Sequence, residues 1–136
     1  MKNKEVDIIG KEEALTVTIT SEMVNDFAKL SGDLNPIHID EEYAKQTIFG
    51  KRISHGMLVA SLISNVIANK LPGPGTIYMS QDLSFRKPVF INDEVTAVVT
   101  VLEKKKEKPI YKLKTVCVNQ NNEIVIDGES YVRYKK

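Results

Sequence analysis

Residues 56–70, Gly-Met-Leu-Val-Ala-Ser-Leu-Ile-Ser-Asn-Val-Ile-Ala-Asn-Lys, are apolar nearly all round and are cut off by the breaker run Leu-Pro-Gly-Pro-Gly at 71–75. A segment of this length forms a helix that the rest of the chain has to enclose, about 22 Å long at 1.5 Å per residue. After the breakers every periodic segment reads as strand. Ile77, Met79, Leu83 and Phe85 alternate with polar neighbours, 94–102 and 110–118 are rich in β-branched residues, and 124–134 closes the series. The all-charged run 103–108 suits a solvated hairpin tip, 119–122 a turn, and Pro88 a bend or an edge. One long helix and several strands joined by tight turns imply an α+β fold with a mainly antiparallel sheet. A helix apolar on all sides is covered only if that sheet curls around it.

The N-terminal third supplies shorter elements. Residues 14–20 alternate leucine, valine and isoleucine with threonine, the period of a half-buried strand. Ser21 is expected to cap a helix over 22–30 whose apolar residues include Met23, Val24, Phe27 and Ala28, with Gly32 as its terminator. Asp40 is expected to cap a second short helix through Glu41, Glu42, Tyr43 and Ala44, and 50–54 to form a connection.

At 136 residues the chain is read as a single domain, 1–136, with room for one core. Its 42% hydrophobic and 27% charged residues exclude a disordered, collagen-like or disulfide-stapled chain. A net charge of +1 gives no footprint for nucleic acid or an acidic membrane surface. The lone Cys117 makes no internal disulfide, and two histidines with one cysteine show no zinc-ligand spacing, so no metal is expected. The apolar helix, interrupted by Ser61, Ser64 and Asn65, falls short of the roughly 20 residues that span a bilayer. The first ten residues lack a secretion signal, and a cytoplasmic location is the expectation.

The chemistry-bearing residues concentrate in one stretch. Ser31-Gly-Asp-Leu-Asn-Pro-Ile-His38 is followed by Ser54-His-Gly-Met57, and both histidines of the chain lie there. Gly32 and Pro36 keep a regular helix from joining Asp33 to His38, so the acid and the imidazole are expected on a shaped loop. His55 stands directly before Gly56 and the apolar helix, where backbone N–H groups and a positive helix end are aimed. A carboxylate, an imidazole and an anion-stabilising helix start are parts of an acid/base site. Blander roles exist for each: Asp33 and Asn35 form Asx-type turns, His38 is a satisfied core histidine, His55 holds a loop, Ser61 and Ser64 bond back to the preceding turn, and Met57 packs.

Asp33-Leu-Asn-Pro-Ile-His38, then Ser54-His-Gly-Met57 opening an apolar helix, then a run of strands, resembles the MaoC-like family, and most closely its short members, the (R)-specific enoyl-CoA hydratases. The resemblance runs from about Ala14 to Tyr134. It implies a hot-dog fold, in which the antiparallel sheet wraps the long helix, and a homodimer as the working unit. It implies reversible syn hydration of a trans-2-enoyl thioester to an (R)-3-hydroxyacyl thioester, with coenzyme A as the carrier, no further cofactor, and fatty acid metabolism as the setting. Asp33 and His38 match the pair that activates water and shuttles its proton, and Gly56 matches the oxyanion-hole amide. Ser64 falls where the bacterial hydratases have a pocket serine, Asn35 matches the motif asparagine that shapes the loop, and Asn35, His55 and Met57 are expected with Ser64 at the substrate pocket. Arg86 and Lys87, with Lys51 and Arg52, are weaker candidates for the nucleotide end of coenzyme A. Alternatives on the same fold are a 3-hydroxyacyl-ACP dehydratase, with acyl carrier protein in place of coenzyme A, an acyl-CoA thioesterase, and a non-catalytic acyl-thioester-binding module.

Overall fold

The computed structural model describes residues 7–135. Six strands form one antiparallel sheet: β1 (Glu12–Thr18), β2 (Ile77–Gln81), β3 (Ser84–Phe85), β4 (Glu94–Lys104), β5 (Ile110–Val118) and β6 (Ile124–Arg133). Their order is β1-β4-β5-β6-β2, with β3 also pairing β6. Four helices accompany it: α1 (Ser21–Ser31), α2 (Pro36–Ile39), α3 (Glu41–Lys45) and α4 (Gly56–Asn69).

The strand period decides how sheet and helix meet. Along β4, Val95, Ala97, Val99 and Val101 are all buried while their neighbours stay partly open. Tyr111, Leu113 and Cys117 continue that face on β5, and Ile126 and Val132 on β6. Against it lie Leu58, Val59, Leu62, Ile63, Val66 and Ile67 of α4. At roughly 1.5–3 kcal/mol for each large apolar side chain removed from water, this seam is the main stabilising term of the fold. The sheet wraps the helix in the hot-dog arrangement. The wrapping is one-sided, because Met57, Ser61, Ser64, Asn65 and Ala68 face outward, which corrects the expectation of a helix enclosed all round.

Several boundaries move for local reasons. Thr20, not Ser21, caps α1, its Oγ1 accepting the Met23 N–H at 3.1 Å, and Gly32 closes the helix at φ +79°, a left-handed value that favours glycine. β1 ends at Thr18, because the Ile19 N–H bonds to the Asp93 carbonyl and starts the turn into α1. The strand expected across 77–86 is two strands. Asp82 passes directly over Gly128, where an added Cβ would lie 1.9 Å from the Asp82 carbonyl oxygen, and the Asp82 Oδ1 takes the Glu129 N–H at 3.1 Å. That crossing interrupts the ladder and turns Phe85, Arg86 and Lys87 toward the N-terminal end of α4. β4 lies between β1 and β5, so the sheet's edges are β1 on one side and β2 with β3 on the other.

Candidate active site

Asp33 sits just past the αL cap of α1, its N–H held by the Ser31 Oγ at 3.1 Å and one carboxylate oxygen accepting the Asn35 N–H at 3.2 Å. The Asx turn and the acid/base placement therefore coexist. His38 is not on a loop as expected. Pro36 fills the first position of α2, where no N–H is needed, and the Asn35 Oδ1 accepts the Ile37 N–H at 3.2 Å, so one helical turn carries the imidazole. Asn35 shapes this turn and lies outside the cleft that holds Asp33 and His38, although it was expected in the pocket.

The His38 Nδ1–H donates to the Ile53 carbonyl at 2.8 Å, which assigns the proton to that nitrogen and leaves Nε2 as the basic one. Burial pushes the pKa of His38 below its ordinary 6.5, helped by the charges of His55 and Arg52 and opposed by the Ile53 bond and by Asp33. His55 is 2% exposed. Its Nε2–H donates to the Asp33 carbonyl at 3.0 Å, and its ring lies 4.0 Å from that of His38, with 33° between the planes.

Asp33, His38 and His55 bring potential ligand atoms within 4.8 Å of one another. One carboxylate and two imidazoles are also a metal-ligand set. Two of the ring nitrogens are already committed, the His38 Nδ1–H to the Ile53 carbonyl and the His55 Nε2–H to the Asp33 carbonyl.

Gly56 opens α4, so its N–H has no acceptor within the helix, and His55 offers no side-chain cap. The donor faces a cleft of about 570 Å³ that Asp33, His38, His55, Met57 and Phe85 also line, with Val59, Val89 and Ile126 at its apolar floor. A Cβ on residue 56 would come within 2.5 Å of the Phe85 ring, so glycine is what lets the aromatic lie against the helix start. Phe49 lines the cleft, whereas Ile48 is 95% exposed and Leu71 is in the core.

Ser64 is not in this cleft. It faces a second groove on the outer side of α4, with Met57, Ser61, Tyr78, Met79 and Leu83, and Ser61 bonds back to the Leu58 carbonyl at 2.6 Å. Arg86 and Lys87 stand at the cleft wall, Arg86 forked onto Asp127 at 3.1 and 3.2 Å and Lys87 paired with Glu123. Lys51 lies over the Phe90 ring at 4.5 Å. Arg52 is spent on structure: its guanidinium bonds to the His38 carbonyl, the Ser21 Oγ and the Asn25 Oδ1 at 2.6, 2.9 and 2.8 Å, bracing α2 against α1. Sequence reasoning missed Phe85 and this brace, since their partners are far away along the chain and follow no period.

Residues 7–123 match the family model described as MaoC like domain. The chain is 44% identical over 128 residues to a 3-hydroxybutyryl-CoA dehydratase of Methylorubrum extorquens, covering 94% of this chain and 81% of that one. It is 42% identical over 125 residues to an (R)-specific enoyl-CoA hydratase of Aeromonas caviae, covering 92% and 93%. Among solved structures, the (R)-hydratase from A. caviae involved in PHA biosynthesis superposes with a TM-score of 0.93 at 40% identity, covering 98% of this chain and 100% of that one. An acid, an imidazole and an open helix start in one cleft, on a sheet that wraps a single long helix, are thus found in a chain that belongs to the MaoC-like family.

Proposed function

We propose that this protein hydrates a trans-2-enoyl-CoA reversibly and in the syn sense to an (R)-3-hydroxyacyl-CoA. The observation that carries the reading is the convergence of Asp33, the basic Nε2 of His38 and the unpaired Gly56 N–H on one apolar-floored cleft. The carboxylate and the imidazole grip one water, whose oxygen bonds to C3 while its proton passes to the pair and returns to C2 on the same face. Negative charge gathers meanwhile on the thioester oxygen, where the Gly56 N–H donates. Acid/base help of this kind is worth about 10²- to 10⁴-fold, and one oxyanion donor roughly 2.7–4 kcal/mol. Water closes the balance, so the step needs no redox cofactor. Arg86 and Lys87 are the basic groups near enough to meet the phosphates, which then compete with Asp127 and Glu123 for them. A cytoplasmic location goes with this reading.

The working unit in this reading is a homodimer. The β2 edge carries Ile77 and Met79 at 57% and 53% exposed, and Met57 of α4, at 59%, shares a groove with Met79. A two-fold copy laid along that edge would pair the open strand and cover the groove.

The test follows the enoyl absorbance of crotonyl-CoA alongside release of free thiol. Loss of absorbance without thiol is expected. Thiol release would make the protein a thioesterase, and binding without either change an acyl-thioester-binding module. A carrier-protein thioester turned over far faster than the coenzyme A thioester would move the assignment to an ACP dehydratase.

A further inference from the structure

His55 packs between two rings, Phe27 at 4.9 Å on one side and His38 at 4.0 Å on the other. Its Nε2–H edge holds the carbonyl of Asp33, 22 positions earlier in the chain. Its Nδ1 is buried and has no hydrogen-bond partner, an arrangement that native proteins rarely keep. A leucine or methionine would fill the same space without an unpaired nitrogen, so packing does not explain an imidazole here. What distinguishes it is geometric: one side chain touches the backbone of the acid and the face of the base.

We propose that His55 is a positioning residue for the hydration, a single buried imidazole that fixes Asp33 by its edge and His38 by its face and so sets the spacing of the pair around the water. The proposal rests on the hydratase reading of the cleft. No hydrogen bond joins the side chains of the pair, which go to the Asn35 N–H and the Ile53 carbonyl instead. Its members sit on different elements, one after α1 and one on α2, and His55, ahead of α4, touches both from outside the Asn35 turn that joins them along the chain. A displacement of about 1 Å between groups that share one proton costs on the order of a hundredfold in rate, which is the scale of effect such a link controls. The groups facing His38 are Asp33 from the loop after α1, Arg52 and His55 from the segment before α4, and the Ile53 carbonyl. Loss of the His55 ring would uncover His38 and remove one nearby charge, and both changes raise the midpoint of His38.

The chain has two histidines, so in a His55 variant the imidazole resonances belong to His38 alone. His55→Ala and His55→Gln are to be compared with the natural chain for kcat, KM and the histidine NMR titration, after thermal melts confirm folding. The alanine variant should lose about tenfold to a hundredfold in kcat, with KM within about twofold, and the His38 midpoint should rise. Glutamine reaches the Asp33 carbonyl with an amide N–H, so it should recover part of kcat while the midpoint stays raised. Turnover within about twofold of the natural chain in the alanine variant, or an unmoved midpoint, overturns the proposal; so does a glutamine variant no better than alanine. If alanine does not fold, the midpoint and kcat of the glutamine variant decide by the same criteria. If the natural chain shows no hydration, the functional reading falls on its own, and the His38 midpoint still decides whether His55 positions it.

Discussion

The imidazole of His38 has one nitrogen committed to the Ile53 carbonyl and the other facing the cleft, and its burial weighs against the charged form. Protonation at Nε2 would remove the lone pair that takes the proton from water, so kcat/KM for hydration should fall on the acid side through the His38 midpoint. Because that midpoint lies below the ordinary 6.5, activity should persist to lower pH than an exposed histidine would allow. A pH profile of kcat/KM checks it, and an acid limb at or above the ordinary value would contradict the assignment. Asp33→Asn should lower turnover by about a hundredfold or more. The side chain is exposed and carries no core packing, so the melting temperature should change little. His38→Ala acts on the same water, and the double variant should therefore lose far less than the product of the two single losses. Independent, multiplying losses would mean that two waters or two steps are involved. The motif's residues were legible in sequence, whereas the division of labour within it was not, because which imidazole nitrogen stays free depends on a carbonyl 15 residues away.

At the scale of elements, the start of α4 and the short β3 form one device. Gly56 offers its N–H only because no Cβ stands between the helix and Phe85, whose ring would lie within 2.5 Å of it. Gly56→Ala should push the ring across the cleft mouth and cut turnover by roughly tenfold or more, within the range set by losing one oxyanion donor. The Phe85→Ala, Gly56→Ala pair should recover part of that loss if crowding is the cause. Steady-state kinetics of the three variants checks this, and a double variant no better than Gly56→Ala would place the damage in the backbone of α4 itself. The helix could be read from its composition and its breakers. Phe85 was read as one position of a single strand, and its approach to Gly56 exists because Asp82 crosses Gly128 and redirects the chain.

For the whole molecule, the sheet ends at β2 with an apolar edge, and the groove beside it holds Ser64, which sequence had placed in the pocket. Met79→Glu puts a charge on that edge without touching the buried seam. In light scattering at micromolar concentration it should shift the protein from a dimer toward the 15.3 kDa protomer. A natural chain that runs at the protomer mass and is fully active would end the dimer proposal while leaving the chemistry of Asp33 and His38 in place.

The sequence by itself determined the parts list: an apolar helix after Gly56, antiparallel strands with β4 and β5 nearly residue for residue, the αL stop at Gly32, and the Asp33 to His38 motif. These follow from periodicity, breakers and capping, which act within a few residues of one another. Tertiary structure alone decided that α4 keeps one face open, that Arg52 braces α2 instead of waiting for a phosphate, and that His55 touches both the acid and the base. The brace and the His55 contact depend on partners 14 to 31 residues apart. Their meeting is fixed by how the whole chain buries its apolar surface, and no local pattern encodes it.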